Sequence, residues 1–198
     1  MSPVSATGIV LAGGRSSRFG RDKLSEPYRG VPLVHHAVLR LGEVCDEVVV
    51  VLAPGSPEPT LPIGVPVRIA RDALEGEGPL AGAYAGLLAV RSDLAVLAAG
   101  DMPDLRTPVL LEMLRVAEET AADAVALRDG DRFRPLPCVL RSAEALDAAH
   151  TLLHAGERRL RTMLSALRLF EVDEPTWTAL DPERRTLLDI DEPGDLAR

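Results

Sequence analysis

The sequence predicts an α/β fold: a mostly parallel central sheet with helices packed on both faces. Three observations predict it. Short runs rich in Val, Leu and Ile recur along the 198 residues, amphipathic stretches separate them, and turn-forming residues mark the joins. A chain of this length can bury one core without disulfide or metal staples, so a single domain over 1–198 is expected.

The first buried strand is read at 8–12, the second at 47–53, the third at 65–70 and the fourth at 94–99. After the first, Pro32 sits where an opening helical turn tolerates proline, and Val34, Val38 and Leu41 fall on one face at helical spacing. The proline-rich stretch 54–66 reads as a loop, and the Gly78-Pro79 step as the opening of a helix. A further helix starts near Thr107 and Pro108, with Leu110, Met113, Leu114 and Ala117 as its buried stripe. Past residue 122 the rhythm changes. Runs at 124–127 and 136–140 flank Asp129, Gly130 and Asp131, which predicts an antiparallel excursion. An amphipathic helix over 143–167, broken at Gly156, should follow, then a short strand at 187–190 and a terminal helix opened by Pro193.

A formal charge of -8 and a pI near 5.0 argue against a nucleic-acid partner, which normally needs a basic face. Small phosphorylated ligands stay open, because cations can cluster locally in an acidic protein. Cys45 and Cys138 lie far apart without metal-ligand spacing, and read as small buried side chains in a reducing compartment. The sequence shows no leader pattern, and no apolar run nears the roughly 20 residues of a membrane span, so a cytoplasmic protein without membrane contact is expected. Asn and Gln are absent and 16 prolines are present, which predicts a melting midpoint above the mesophilic range. Lys23 is the sole lysine in a chain that otherwise uses Arg. A site needing a compact ammonium would retain it, and so would chance.

The sharpest motif runs from Leu11 to Lys23, directly after the first strand. Ligands of open α/β sheets bind at the carboxyl ends of strands. Gly13 and Gly14 there let the backbone approach an anion, and the amides that follow can donate to phosphate oxygens. Arg15, Arg18, Arg21 and Lys23 concentrate positive charge in the same segment. The spacing is that of neither a Walker A loop nor a GxGxxG fingerprint. Two glycines alone would suggest only a turn. The glycines, hydroxyls, four cations and lone lysine together favour phosphate binding.

Asp101, in Gly100-Asp101-Met102-Pro103, ends the fourth strand on the same edge, where a carboxylate can hold Mg²⁺ against phosphates; the competing reading is that Asp101 or Asp104 caps the next helix. Gly78, Pro79, Leu80 and Gly82, preceded by Asp72, could present backbone groups to a nucleobase or simply start a helix. Asp189 and Asp191 fall on one face of an extended segment and could complete a metal site with Asp101, or cap the terminal helix. His150 and His154, like His35 and His36, read as surface or packing residues.

On these motifs the chain resembles the molybdenum cofactor guanylyltransferases, the MobA family of nucleotidyltransferases. The resemblance runs in order through Leu11-Ala12-Gly13-Gly14, Arg18, Gly20, Asp22, Lys23, the Gly78 to Gly82 segment, Asp101, the 155–159 segment and the terminal Asp189 to Leu196. It implies a Rossmann-like three-layer nucleotidyltransferase fold, with 1–122 as the nucleotide-binding half and 123–198 as the acceptor-binding half. It also implies transfer of GMP from GTP to the phosphate of molybdopterin.

By position, Leu11, Ala12, Gly13, Gly14 and Arg15 would meet the nucleotide, Lys23 and Arg18 its phosphates, Asp72 the guanosine, and Gly78, Pro79, Leu80 and Gly82 the base. Asp101 would meet both GTP and Mg²⁺, with Asp191 as a further ligand. Arg158, Arg159, Asp189 and Asp191 would face the acceptor. Other cofactor-biosynthesis proteins or acceptor apoenzymes are the protein partners such an enzyme would touch transiently. Phe19 stands where the family usually has Met, and Asp189 and Asp191 replace family asparagines. Carboxylates there would repel an anionic acceptor unless metal-bound, which keeps open the same chemistry with CTP or a sugar phosphate, or a non-catalytic nucleotide-binding regulator.

Overall fold

The computed structural model describes residues 5–13, 23–72 and 78–197. Strand β1 (Ala6–Leu11) leads to a small hairpin of β2 (Pro27–Tyr28) and β3 (Val31–Pro32), then helix α1 (Leu33–Gly42). Strands β4 (Glu47–Leu52) and β5 (Val67–Arg71) precede α2 (Pro79–Ala89). Strand β6 (Leu94–Ala99), α3 (Thr107–Thr120), and the antiparallel pair β7 (Ala124–Asp129) and β8 (Arg132–Arg141) come next. Helices α4 (Ser142–His154) and α5 (Leu160–Ala166), strand β9 (Leu169–Val172) and helix α6 (Glu174–Leu180) follow.

One seven-stranded sheet has the order β5-β4-β1-β6-β8-β7-β9, with β8 alone reversed. The fold is thus the expected mostly parallel α/β sheet. Its central strands are almost wholly apolar because they are covered on both faces, and β4 carries valine at each of positions 48–51, where branched side chains pack well on the pleat. Alternation divides them. Val48, Val50 and Leu52 of β4 face α1, α3 and α6, while Val49 and Val51 face α2, α4 and α5, giving three layers.

The helix stripes follow the expected periodicity, with Val34, Val38 and Leu41 buried on α1 and Leu110, Met113, Leu114 and Ala117 on α3. The antiparallel excursion is present, and its strands run longer than the apolar cores read from sequence. The break near Gly156 falls between α4 and α5, where Gly156 takes φ +83°.

Two expectations need correction, and three features had no counterpart in the sequence reading. The segment 187–190 is not a strand: a 3-10 turn covers Arg185–Leu187, and the Ile190 amide donates to the Asp101 carbonyl at 2.9 Å instead of joining a ladder. The terminal helix is a short 3-10 element, Pro193–Ala197. The β2–β3 hairpin, β9 and α6 lacked a readable sequence period, each being too short to display one. Helix α6 nevertheless has a local start signal, since the Asp173 carboxylate accepts from the Thr176 amide at 2.9 Å and Pro175 lies in the first turn.

Candidate active site

The order of the sheet locates the site. From β1 the chain winds outward through α1 to β4 and β5, then crosses back by α2 to β6 on the other side of β1. The carboxyl ends of β1 and β6 therefore flank the point where winding reverses, the usual ligand crevice of open α/β sheets. They are in register, Leu11 beside Ala99, and the Gly100 amide donates to the Leu11 carbonyl at 2.9 Å. Gly13 leaves β1 so close to the next strand end that a Cβ would stand 3.0 Å from the Ala53 amide nitrogen. Only glycine fits there without a shift.

Lys23 and Asp101 meet at this crevice. The Lys23 ammonium donates to Asp101 Oδ2 at 2.7 Å and to the Ile190 carbonyl at 2.7 Å, and lies 3.7 Å from Asp191 Oδ1. The 188–191 segment is thus pinned from two sides, by this lysine and by the backbone of Asp101. Asp189 belongs to the same cluster. Its side chain stays exposed, yet partial desolvation raises the carboxyl above the usual range, the negative charges of Asp191 and Asp101 add to the rise, and Arg134 opposes it. Asp101 does not cap α3, whose N-cap position has no side-chain hydrogen bond. Asp104 does not cap it either. Its buried carboxylate instead holds Arg29 in a two-point pair at 2.8 and 3.1 Å, with Arg185 at 3.1 Å.

The other expected contacts stand on the α2 side of the edge. The Asp72 amide donates to the Leu52 carbonyl at 2.9 Å, at the end of β5. Gly78 starts α2 with φ +83°, and a Cβ there would meet the Arg158 carbonyl at 3.0 Å, while the Leu80 amide donates to that carbonyl at 3.3 Å. Gly82, one turn on, packs toward Leu11. Asp72 and Arg158 line a groove of about 570 Å³ between α2 and α4 with Arg71, Tyr84, His150 and His154. The Glu157 carboxylate accepts from the Arg158 and Arg159 amides at 2.8 and 2.9 Å, and those backbone bonds hold its pKa below the usual range.

The structure therefore gathers Lys23, Asp101, Asp189 and Asp191 in one cluster, and Asp72, Gly78, Leu80 and Arg158 in another. Expected contacts at Gly14, Arg15 and Arg18 lie outside the described residues. The two exposed imidazoles His150 and His154 share an Nε2–Nε2 contact of 3.1 Å. Among the described residues, no three His, Cys, Asp or Glu side chains converge as a metal-ligand set, and no helix is long and apolar enough to cross a membrane. Sequence reasoning missed the Ile190 carbonyl as a Lys23 partner, since a backbone carbonyl carries no motif.

Fold and site together define a three-layer α/β protein with a lysine–aspartate pair at the switch point of its sheet. The chain belongs to the MobA-like NTP transferase family, whose model matches residues 8–172. It is 41% identical over 168 residues to a Mycobacterium tuberculosis protein named "Probable molybdenum cofactor guanylyltransferase", covering 82% of this chain and 81% of that one. A Chloroflexus aggregans protein of the same name is 35% identical over 196 residues, covering 96% and 91%. In fold it resembles molybdopterin-guanine dinucleotide biosynthesis protein A from Archaeoglobus fulgidus, at 23% identity and a TM-score of 0.78, over 97% of this chain and 95% of that one. A 2-C-methyl-D-erythritol 4-phosphate cytidylyltransferase from Thermus thermophilus shares the fold at 17% identity and a TM-score of 0.67, over 98% and 96%.

Proposed function

We propose that the chain transfers GMP from GTP to the phosphate of molybdopterin, releasing pyrophosphate and forming a guanine dinucleotide of the cofactor. The observation that carries this reading is the Lys23 ammonium at the switch point, bridging Asp101, the Ile190 carbonyl and Asp191 in a chain of the MobA-like family. A compact ammonium held by carboxylates is well placed to exchange one of them for a triphosphate oxygen.

In this mechanism Leu11, Ala12, Gly13, Gly14 and Arg15 meet the nucleotide's phosphates, while Asp72, Gly78, Pro79, Leu80 and Gly82 meet guanosine. An acceptor phosphate oxygen attacks the α-phosphorus in line, the bond to the bridging oxygen breaks, and pyrophosphate leaves. Lys23, with Arg18, offsets the charge gathering on that leaving group. The acceptor oxygen is already ionised and needs no general base. Arg158 and Arg159 are assigned with Asp189 and Asp191 to the acceptor.

The residues fit Mg²⁺, which takes one or two carboxylates and completes its shell with water and substrate phosphates. Asp101 and Asp191 would hold it, as they already share one cation at 2.7 and 3.7 Å. Bound there, the ion would neutralise charge across the phosphate oxygens.

Incubating the protein with each nucleoside triphosphate, Mg²⁺ and molybdopterin tests the reading. Dinucleotide and pyrophosphate should form with GTP. Product from CTP alone would reassign the nucleotide, and pyrophosphate release only with a sugar phosphate would reassign the acceptor.

A further inference from the structure

Three segments meet at Lys23, and the same three meet a second time. The first runs from Lys23 into the β2–β3 hairpin, the second is the turn that follows β6 at Asp101, and the third is the loop 185–191. At the first meeting each segment gives one charge: Lys23, Asp101 and Asp191. At the second each gives one again, with the signs reversed. Asp104 of the second segment pairs with Arg29 of the first at 2.8 Å and with Arg185 of the third at 3.1 Å. One cation seated among carboxylates is thus matched by one carboxylate seated among cations.

The second cluster is built as an anchor. The Asp104 side chain is only 9% exposed, and its oxygens accept from both terminal nitrogens of Arg29, from Arg185 and, at 3.3 Å, from the Tyr28 hydroxyl. A carboxylate so far from water needs partners of this kind, and a two-point guanidinium pair fixes orientation as well as distance. Arg29 holds φ +49°, a left-handed conformation that residues other than glycine rarely adopt, so its turn depends on contacts made around it. The segments also touch elsewhere. Ile190 packs with Tyr28 and Leu33, beside Leu24, and the Arg106 amide donates to Thr186 Oγ1 at 3.2 Å.

We propose that Asp104 is a positioning residue for the transfer reaction: by gripping Arg29 and Arg185 together, it sets where the Lys23 ammonium stands between Asp101 and the Ile190 carbonyl. This rests on the reading of that ammonium as the group that meets the nucleotide's phosphates. Two of its partners lie on different segments, so its place is fixed only when the hairpin and the loop are both held against the Asp101 turn. Asp104 is the side chain of that turn that holds them both. Phosphoryl transfer relies on placement and on charge aimed at the departing group, so a loosened ammonium costs rate before it costs binding.

The test compares Asp104→Asn with the wild type in the full chain, with thermal melts to confirm folding. Its kcat should fall roughly tenfold or more, while the KM values for GTP and molybdopterin move much less. The same change made on Lys23→Ala should lower kcat little further, because Asp104 acts through that lysine. An unchanged kcat, or losses that multiply, would overturn the assignment. Lys23 is the sole lysine and its side chain is 14% exposed, so acetylation of its amine, followed by mass spectrometry without GTP, acceptor or Mg²⁺, reads its seat directly. Asp104→Asn should label several-fold faster than the wild type. If it does while the wild type forms no dinucleotide from GTP, the proposed reaction falls and the anchor stands; equal labelling overturns the anchor whatever the reaction. Should Asp104→Asn not fold, Arg29→Gln, at the half-exposed end of the pair, should show the same two effects in smaller measure, and the absence of both would overturn the anchor.

Discussion

The two wings of the sheet are built differently. On one side of Asp101, β5, β4, β1 and β6 run parallel, each buried centre ending at the edge where the next turn begins, so ligand-facing residues arrive directly from strand ends. On the other side, β8 runs backward between β6 and β7, and β9 is reached only after α4 and α5. There the edge residues return late, on a loop that closes onto Asp101 and Lys23 across 167 positions of sequence. Arginine–carboxylate pairs brace this wing, among them Arg128 with Glu171 at 2.6 Å and Arg168 with Asp123 at 2.7 Å. The first wing supplies a stiff edge by topology alone. The second must be folded correctly as a whole before Asp189 and Asp191 can reach the site.

The sharpest way to break the comparison is at its seam. Lys23→Ala and Asp101→Ala should each lower turnover by roughly 10²–10³, the usual cost of removing one charge-stabilising group from such a centre, while melting curves stay close to wild type. Near-normal rates from either variant would detach the seam from the chemistry. A stability effect of comparable size should come from the far wing. Trp177 is fully buried under α3, with its indole nitrogen donating to the Arg128 carbonyl at 2.7 Å. Trp177→Ala should therefore cost about 3–5 kcal/mol in denaturant unfolding. If the second wing closes the site as described, activity should fall with the folded fraction.

These two wings were also unequally legible in the sequence. The parallel wing announced itself because local periodicity sufficed: apolar runs gave β1, β4, β5 and β6 within about two residues, and 3.6-residue stripes gave α1 and α3. Asp101 was legible for the same reason, as a carboxylate ending a buried strand. The far wing hid its parts. Strand β9 spans four residues and is only partly buried, so it carries no alternation, and 187–190 looked like a strand because Leu187, Leu188 and Ile190 are apolar. Ile190 is in fact buried against Tyr28 and Leu33 of the β2–α1 region, a contact that no local pattern encodes. Lys23 stood out by composition, but its attachment to the Ile190 carbonyl was a matter of closure across the chain.

A smaller effect is expected where the wings' edges approach through backbone. Gly78 holds φ +83° with the Arg158 carbonyl 3.0 Å from any added Cβ. Gly78→Ala should cost roughly 1–3 kcal/mol, since that conformation is nearly restricted to glycine. It should also raise the KM for GTP more than the KM for molybdopterin if Gly78 meets the base; equal rises would mean the strain is felt across the whole edge.

The smallest effect concerns charge at the seam and sharpens the contrast by pH. Asp189, although exposed, has a carboxyl raised above its ordinary value of 3.8 by partial desolvation and then by Asp191 and Asp101. Below that value the folded and unfolded chains both carry the proton, and the site costs nothing. As pH climbs past 3.8 the unfolded chain releases its proton first, so stability falls until the folded carboxyl ionises too, and the loss is constant above that point. Asp189→Asn removes the charge and should melt higher than wild type at neutral pH, with the gap closing on acidification below about 3.8. A gap that persists in acid would assign the gain to packing of the 188–191 loop and not to the crowding of carboxylates that the second wing delivers to the first.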